Sequence, residues 1–369
     1  MIRIKRIIFI GFYIPGDASS NFVISFCKGY TEIGLEVKLL LQVNNEKDIP
    51  DVHGVDIFPI FPCGRVEREK VFRALIKQHF IKGETIVQHY GCPSWDWLPF
   101  RKKYPTFYTI TEVPFADPNM PIRFKAMEWL KRLSTKQATG ILVITNYLKD
   151  YFTKYGIRNI QVFNILIDPD RFKIVLKQKP EKFISYCGSV GVYKDGVGDL
   201  IEAYSIVRKT HPDVKLRIIG SFFTQQDKSI IMSKVAELQL EKDIVFTGRI
   251  SPQDMPALLS DSCILALARP NNKQAQYGFP SKVGEYLFTG RPVVVTRVGE
   301  LENFLKDNET CVFALPDNPI NFAEKLIWVL EHPQQGDEIG RAGKLVAQSC
   351  FSIQSQCRVA LDFFERSIR

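Results

Sequence analysis

Short apolar runs alternate with amphipathic stretches along almost the whole chain, and this alternation most narrows the folds open to it. In the first half the runs are Arg6–Phe12, Val37–Leu41, Thr85–Gln88, Thr106–Ile110 and Ile141–Ile144, and Asn159–Asn164 ends the series. Helical stretches such as Ser20–Ile33 lie between them. After a connector at 166–182 rich in Pro and charge, the alternation restarts with Phe183–Cys187, Lys215–Ile219, Ile244–Thr247, Ile264–Ala266, Pro292–Thr296 and Cys311–Phe313. Strands that each lead into a helix build a parallel sheet covered on both faces. The pattern therefore predicts two doubly wound α/β domains, 1–170 and 171–350, with a final helix at 351–369 that can pack on either, including a return to the first. Ligands bind such sheets beyond the carboxyl ends of the strands, so a cleft between two facing domains is the expected site.

The bulk numbers fit this reading. The 369 residues suffice for two such cores, and 45% hydrophobic with 24% charged residues excludes a disordered or fibrous chain. No apolar run approaches the roughly 18 residues of a membrane span. The opening MIRIKRIIFIGFYIPGD is basic then apolar, but a first strand explains it better than a signal peptide. Eight cysteines form no CxxC pair and read as buried thiols of a reducing cytosol. Five scattered histidines give no reason to expect a metal. The net charge of +9 is uneven: residues 1–172 carry 24 Lys and Arg against 17 Asp and Glu, and residues 173–369 carry 25 against 23. Arg65–Lys82 and Arg123–Lys136 are the densest parts. In the first, Phe72, Ile76 and Phe80 recur every four residues while Lys70, Arg73 and Lys77 share another face. Such a basic amphipathic helix suits an anionic membrane surface, or it is a solvated face over a core. No nucleic-acid motif accompanies the charge.

Three turns carry candidate chemistry. In GFPSKVGEYLFTG, Pro280 suits the start of a helix and Gly290 its end. The free N–H groups at that helix start are a natural anion site, and Lys282 in the first turn is unfavourable there unless an anion joins it. Glu285 lies one turn on, on the same face, where a carboxylate can accept from two adjacent ribose hydroxyls. The bland alternative is an exposed Lys–Glu pair. In CGSVGVYKDGVGD a strand runs into Gly188, Ser189 and Gly191, with Lys194 before the next helix. This is not GxGxxG, and no acidic residue ends the following strand, which argues against a dinucleotide enzyme. The third turn, GFYIPGDASSN, places Gly16 after the first strand.

The order of these parts resembles the two-domain GT-B glycosyltransferases, specifically the retaining glycosyltransferase family 4. The likeness covers nearly the whole chain and is strongest from Ser185 to Pro316: Gly188, then Lys194-Asp195-Gly196, RIIGSF, IVFTGRIS and YGFPSKVGEYLFTGRPVVVTRVGELENFL. It implies a GT-B fold of two Rossmann-like domains facing each other across a cleft. It implies that Glu285 binds ribose hydroxyls and that Lys194 contacts the donor diphosphate. Lys282 would stand near the same phosphates or the donor sugar, with Ser281 beside it. Arg249 and Ile250 match the loop that meets the base, and Gly16, Gly188, Ser189 and Leu301 match turns near phosphate and ribose. One departure stands out: Tyr277 occupies the position of the family's first Glu, which touches the donor sugar. Backbone N–H groups of Gly278 and Phe279, just before Pro280, are left to meet sugar hydroxyls.

The resemblance further implies transfer from a nucleotide diphosphate sugar, with UDP the family's usual nucleotide, and no cofactor or divalent metal. Lys194, Lys282 and helix-terminal N–H groups would stabilise the leaving diphosphate. His89 and Glu112, each after a first-half strand, are candidate contacts to the acceptor, His89 also to the donor sugar. The basic first half fits a glycan or polyprenyl-diphosphate-linked acceptor met by a cytoplasmic enzyme at the inner membrane face. Two rivals stay open: a nucleotide-sugar 2-epimerase of the same architecture, and a non-catalytic nucleotide or sugar binding protein.

Overall fold

The computed structural model describes residues 3–15, 18–91, 103–111, 135–173 and 180–368. The chain divides into two compact units, Met1–Leu166 with Ile353–Arg369, and Ile167–Ser352. Each is built on one parallel sheet.

The first unit's sheet comprises β1 (Arg6–Phe12), β2 (Glu36–Gln42), β3 (Val55–Ile60), β4 (Thr85–Tyr90), β5 (Thr106–Ile110), β6 (Gly140–Val143) and β7 (Ile160–Val162). Their spatial order is β3-β2-β1-β4-β5-β6-β7. The α-helices described within Met1–Leu166 are α1 (Ala18–Glu32), α2 (Arg65–His79) and α3 (Asn146–Lys154). The order reverses between β1 and β4, which places a topological switch point at their carboxyl ends. There Phe12 and Tyr90 meet edge to face, ring centroids 6.0 Å apart. Strand β3, which has Pro59 in its interior, is not among the apolar runs that mark strands in the sequence. As the edge strand it needs no donor on its outer side, so proline is tolerated there. The face of α2 predicted to be apolar does pack inward: Phe72 and Ile76 are buried and Phe80 lies against their cluster, while Lys70 and Lys77 are exposed.

The second unit holds β8 (Glu181–Cys187), α4 (Val197–Thr210), β9 (Lys215–Ile219), α5 (Gln225–Glu237), β10 (Ile244–Gly248), α6 (Met255–Ser260) and β11 (Ser262–Leu267). It continues with α7 (Lys273–Tyr277), α8 (Ser281–Thr289), β12 (Val293–Thr296), β13 (Val312–Ala314), α9 (Pro319–Glu331) and α10 (Pro333–Cys350). The strand order β10-β9-β8-β11-β12-β13 repeats the same reversal, now between β8 and β11. Both units are thus doubly wound α/β sheets, the class the alternation predicts. Strands β6 and β12 are buried along their whole length, as strands of a sheet covered on both faces are.

The last helix, α11 (Ile353–Ser367), belongs to the first unit. Phe364 packs on Phe107 with ring centroids 4.4 Å apart, and the Gln356 side chain accepts from the backbone N–H of Asn164 at 2.7 Å. Burying Phe363 and Phe364 stabilises this docking by about 2–3 kcal/mol per ring.

Candidate active site

The site grows from the switch point of the second unit. Strand β8 ends at buried Cys187, and the chain then turns through Gly188. A Cβ at Gly188 would come within 1.8 Å of Lys282 Cε and 2.8 Å of the Tyr186 hydroxyl. The Lys282 stem therefore lies directly across this glycine, and no larger residue leaves room for it.

Helix α8 supplies that lysine. Pro280 is its N-cap residue, one position outside the helix rather than within the first turn, and no side chain caps the free N–H groups. Gly290 closes the helix in the left-handed conformation, φ 79°, where glycine is unstrained. The helix buries Val283, Tyr286, Leu287 and Phe288, and leaves Ser281, Lys282 and Glu285 only partly covered. The Tyr286 hydroxyl accepts from the Cys187 N–H at 2.7 Å, tying α8 to the end of β8.

Lys282 and Glu285 do not pair with each other. Lys282 Nζ lies 2.7 Å from Asp195 Oδ2, and Glu285 Oε1 lies 2.8 Å from the Arg171 guanidinium. Among the described residues no second acceptor takes the remaining Lys282 donors, and none donates to Glu285 Oε2. Asp195 is 2% exposed, and the Tyr186 hydroxyl donates to it at 2.9 Å and to the Ser189 carbonyl at 2.8 Å. Burial alone would raise the Asp195 pKa. The Lys282 ammonium, Arg269 and the Tyr186 hydroxyl outweigh it and hold the carboxyl below its ordinary value. Cys187 sits among these charges, and burial first, then the Glu285 carboxylate, push its thiol up to about 12.

Arg171 comes from the 3₁₀ turn Pro169–Phe172, which the Asp168 side chain opens by accepting from Asp170 N–H. Phe172 stacks on Phe288 of α8, ring centroids 5.8 Å apart, so the connector itself is docked on the helix. Neither Arg171 nor Asp195 is among the site residues expected from the sequence. Nothing local flags them, because their partners stand 114 and 87 residues away.

The other expected positions distribute unevenly. Lys194 is exposed and no described side chain holds it; its neighbour Asp195 is the one turned into the site. Ser189 is exposed beside Gly188. Arg249 is exposed and Ile250 half-buried, directly after β10. Leu301 is fully buried, so only its backbone can face a ligand. Tyr277, half-buried, ends α7, and Gly278 follows in extended conformation. The Phe279 ring is spent on the core, against Phe304 and Phe351, and Pro280 is buried. In the first unit, His89 lies inside β4 rather than after it, its Nδ1 2.9 Å from the Tyr90 carbonyl. Gly16, Glu112 and most of the basic stretch Arg123–Lys136 fall outside the described residues. Among the described residues no group of three or more His, Cys, Asp or Glu could hold a metal ion, and no helix is long and apolar enough to cross a membrane.

Two doubly wound parallel sheets in this order have the architecture of the GT-B glycosyltransferases. HepE from Anabaena, solved in complex with UDP and glucose, superposes with a TM-score of 0.73 at 15% identity, covering 98% of this chain and 100% of that one. WaaG, a glycosyltransferase involved in lipopolysaccharide biosynthesis, gives 0.70 at 14% identity over 97% of this chain and 99% of that one. In sequence, residues 181–332 match the family model described as glycosyl transferases group 1. The D-rhamnosyltransferase WbpZ of Pseudomonas aeruginosa is 27% identical over 161 residues, 43% of this chain. The chain spans only 39% of that relative's length.

Proposed function

We propose that this protein is a glycosyltransferase that moves a sugar from a nucleotide diphosphate sugar, UDP-linked by preference, to a saccharide acceptor. The observation that carries the proposal is the pair of half-covered charges on α8, Lys282 in its first turn and Glu285 in its second, each held by its own counter-charge. Glu285 Oε2 accepts from the ribose diol, and Lys282 with the uncapped N–H groups of α8 meets the diphosphate. Lys194, exposed at the rim, adds charge. Arg249 and Ile250 meet the base, and Tyr277 to Phe279 line the donor sugar.

The transfer proceeds with retention and draws on no metal. The bond from the anomeric carbon to the β-phosphate oxygen breaks, and the acceptor oxygen bonds the same face. The acceptor proton passes to the departing phosphate. Charge developing on the diphosphate falls against Lys282 and the helix N-terminus, where preorganised donors lower the barrier. The acceptor is a glycan or a polyprenyl-diphosphate-linked saccharide of surface polysaccharide assembly, taken by the first unit with His89 among its contacts. The exposed Lys70 and Lys77 of α2 favour a cytoplasmic enzyme resting on an anionic membrane face.

Incubation with UDP-, GDP-, ADP- and CMP-linked sugars tests the proposal. Nucleotide released only when an acceptor is present supports transfer. Interconversion of the sugar without release would make the protein an epimerase, and binding without turnover a non-catalytic module.

A further inference from the structure

Lys282 is held by a buried carboxylate that the transfer reaction itself does not call for. Its stem crosses Gly188 within van der Waals contact, and its ammonium ends 2.7 Å from Asp195 Oδ2. Asp195 is almost wholly buried, while Lys282 keeps 21% of its side chain exposed. The Tyr186 hydroxyl, itself buried, donates to the same oxygen, Asp195 Oδ2, at 2.9 Å. A lysine in the first turn of a helix opposes the positive end of the helix dipole, so the ammonium there calls for a negative partner, either Asp195 or a bound anion.

We propose that Asp195 is a positioning residue that acts through Lys282: it is the built-in counter-ion that anchors the ammonium across Gly188 and limits how tightly the site holds a diphosphate. The inference rests on the reading of Lys282 as a diphosphate contact. An incoming diphosphate shares the ammonium with Asp195, and part of the attraction is already spent on the internal pair. The nucleotide left after transfer carries more charge at its terminal phosphate than the donor did. A tempered ammonium therefore favours its release.

The consequence has an unusual sign. Asp195→Asn keeps the shape and removes the charge, so UDP should bind at least about fivefold tighter, a change of about 1 kcal/mol. Uridine, which lacks phosphates, should bind unchanged. Tyr186→Phe keeps the charge but removes the hydrogen bond, which leaves the carboxylate to lean harder on Lys282. UDP should then bind about two- to threefold weaker. A merely structural role for Asp195 would weaken UDP in both variants. Calorimetric titration with UDP, GDP and uridine decides, with melting temperatures confirming that each variant folds. Weaker or unchanged UDP binding in Asp195→Asn overturns the proposal. If that variant does not fold, tighter or unchanged binding in Tyr186→Phe overturns it. Wild-type protein that binds neither UDP nor GDP would instead remove the proposed function, and this inference with it.

Discussion

Lys282 and Glu285 stand one turn apart on the same face of α8, yet each is bound to a different partner: Lys282 to Asp195, and Glu285 to Arg171. Two opposite charges at i, i+3 on an exposed face would ordinarily find each other for a few tenths of a kcal/mol. Here both turn aside to counter-charges from distant segments. The helix therefore offers a cationic point and an anionic point side by side, which suits phosphate and diol together.

Glu285→Gln should weaken both UDP and uridine, because the ribose is common to them. Loss of a charge-assisted hydrogen bond of about 1.5–3 kcal/mol corresponds to roughly 10- to 150-fold in dissociation constant. Calorimetry with the two ligands checks this; equal binding by variant and wild type would misplace the site.

Gly188→Ala should act through Lys282. The new methyl lands on the lysine stem, and the stem, being flexible, is what gives way. Backbone strain at φ 157° adds about 1–3 kcal/mol of destabilisation. UDP affinity should drop while uridine affinity holds. A crystal structure of the variant should show Lys282 displaced from Asp195.

The Asp195–Lys282 pair sets an acid limb of stability. Because the folded Asp195 carboxyl lies below its unfolded value, its contribution is complete above the unfolded value of about 4 and is lost as pH falls through the lower folded value. Melting temperature followed from pH 6 downward should fall more steeply for wild type than for Asp195→Asn. Parallel curves would mean that the pair does not titrate with folding.

Cys187 lies in the site but should be inert. Burial and the nearby Glu285 carboxylate keep it a thiol at neutral pH, while Cys63 is exposed. Iodoacetamide at pH 7.5 followed by peptide mass spectrometry should label Cys63 and spare Cys187 until the protein is denatured.

The first unit's basic helix predicts salt-sensitive binding to anionic vesicles. Co-sedimentation with phosphatidylglycerol liposomes should occur at low ionic strength, fade at high salt, and weaken when Lys70 and Lys77 are replaced by Gln. Equal recovery in the supernatant at every salt concentration would remove the membrane from the proposal.

Much of this molecule is legible in its sequence. Lys215–Ile219 and Thr106–Ile110 form strands with the predicted bounds, and α8 ends at Thr289 before Gly290. Apolar runs, proline starts and glycine ends are local signals, read over a few residues. The misses are where a local signal was overruled. Pro59 hid β3, because only its place at the sheet edge makes a proline harmless there. From sequence His89 reads as following the strand Thr85–Gln88, yet the strand runs on through it to Tyr90, where β5 supplies the pairing.

The sequence by itself determined the class of fold and put Lys282 and Glu285 on one helical face, because periodicity and helix geometry act over short spans. Only the tertiary structure decided what those charges do. Asp195 and Arg171 reach them from 87 and 114 residues away, Asp195 on the turn after β8 and Arg171 on a 3₁₀ turn docked on α8 through Phe172. A counter-charge that distant leaves no trace in spacing, and its effect depends on a burial that exists only once the sheet is assembled.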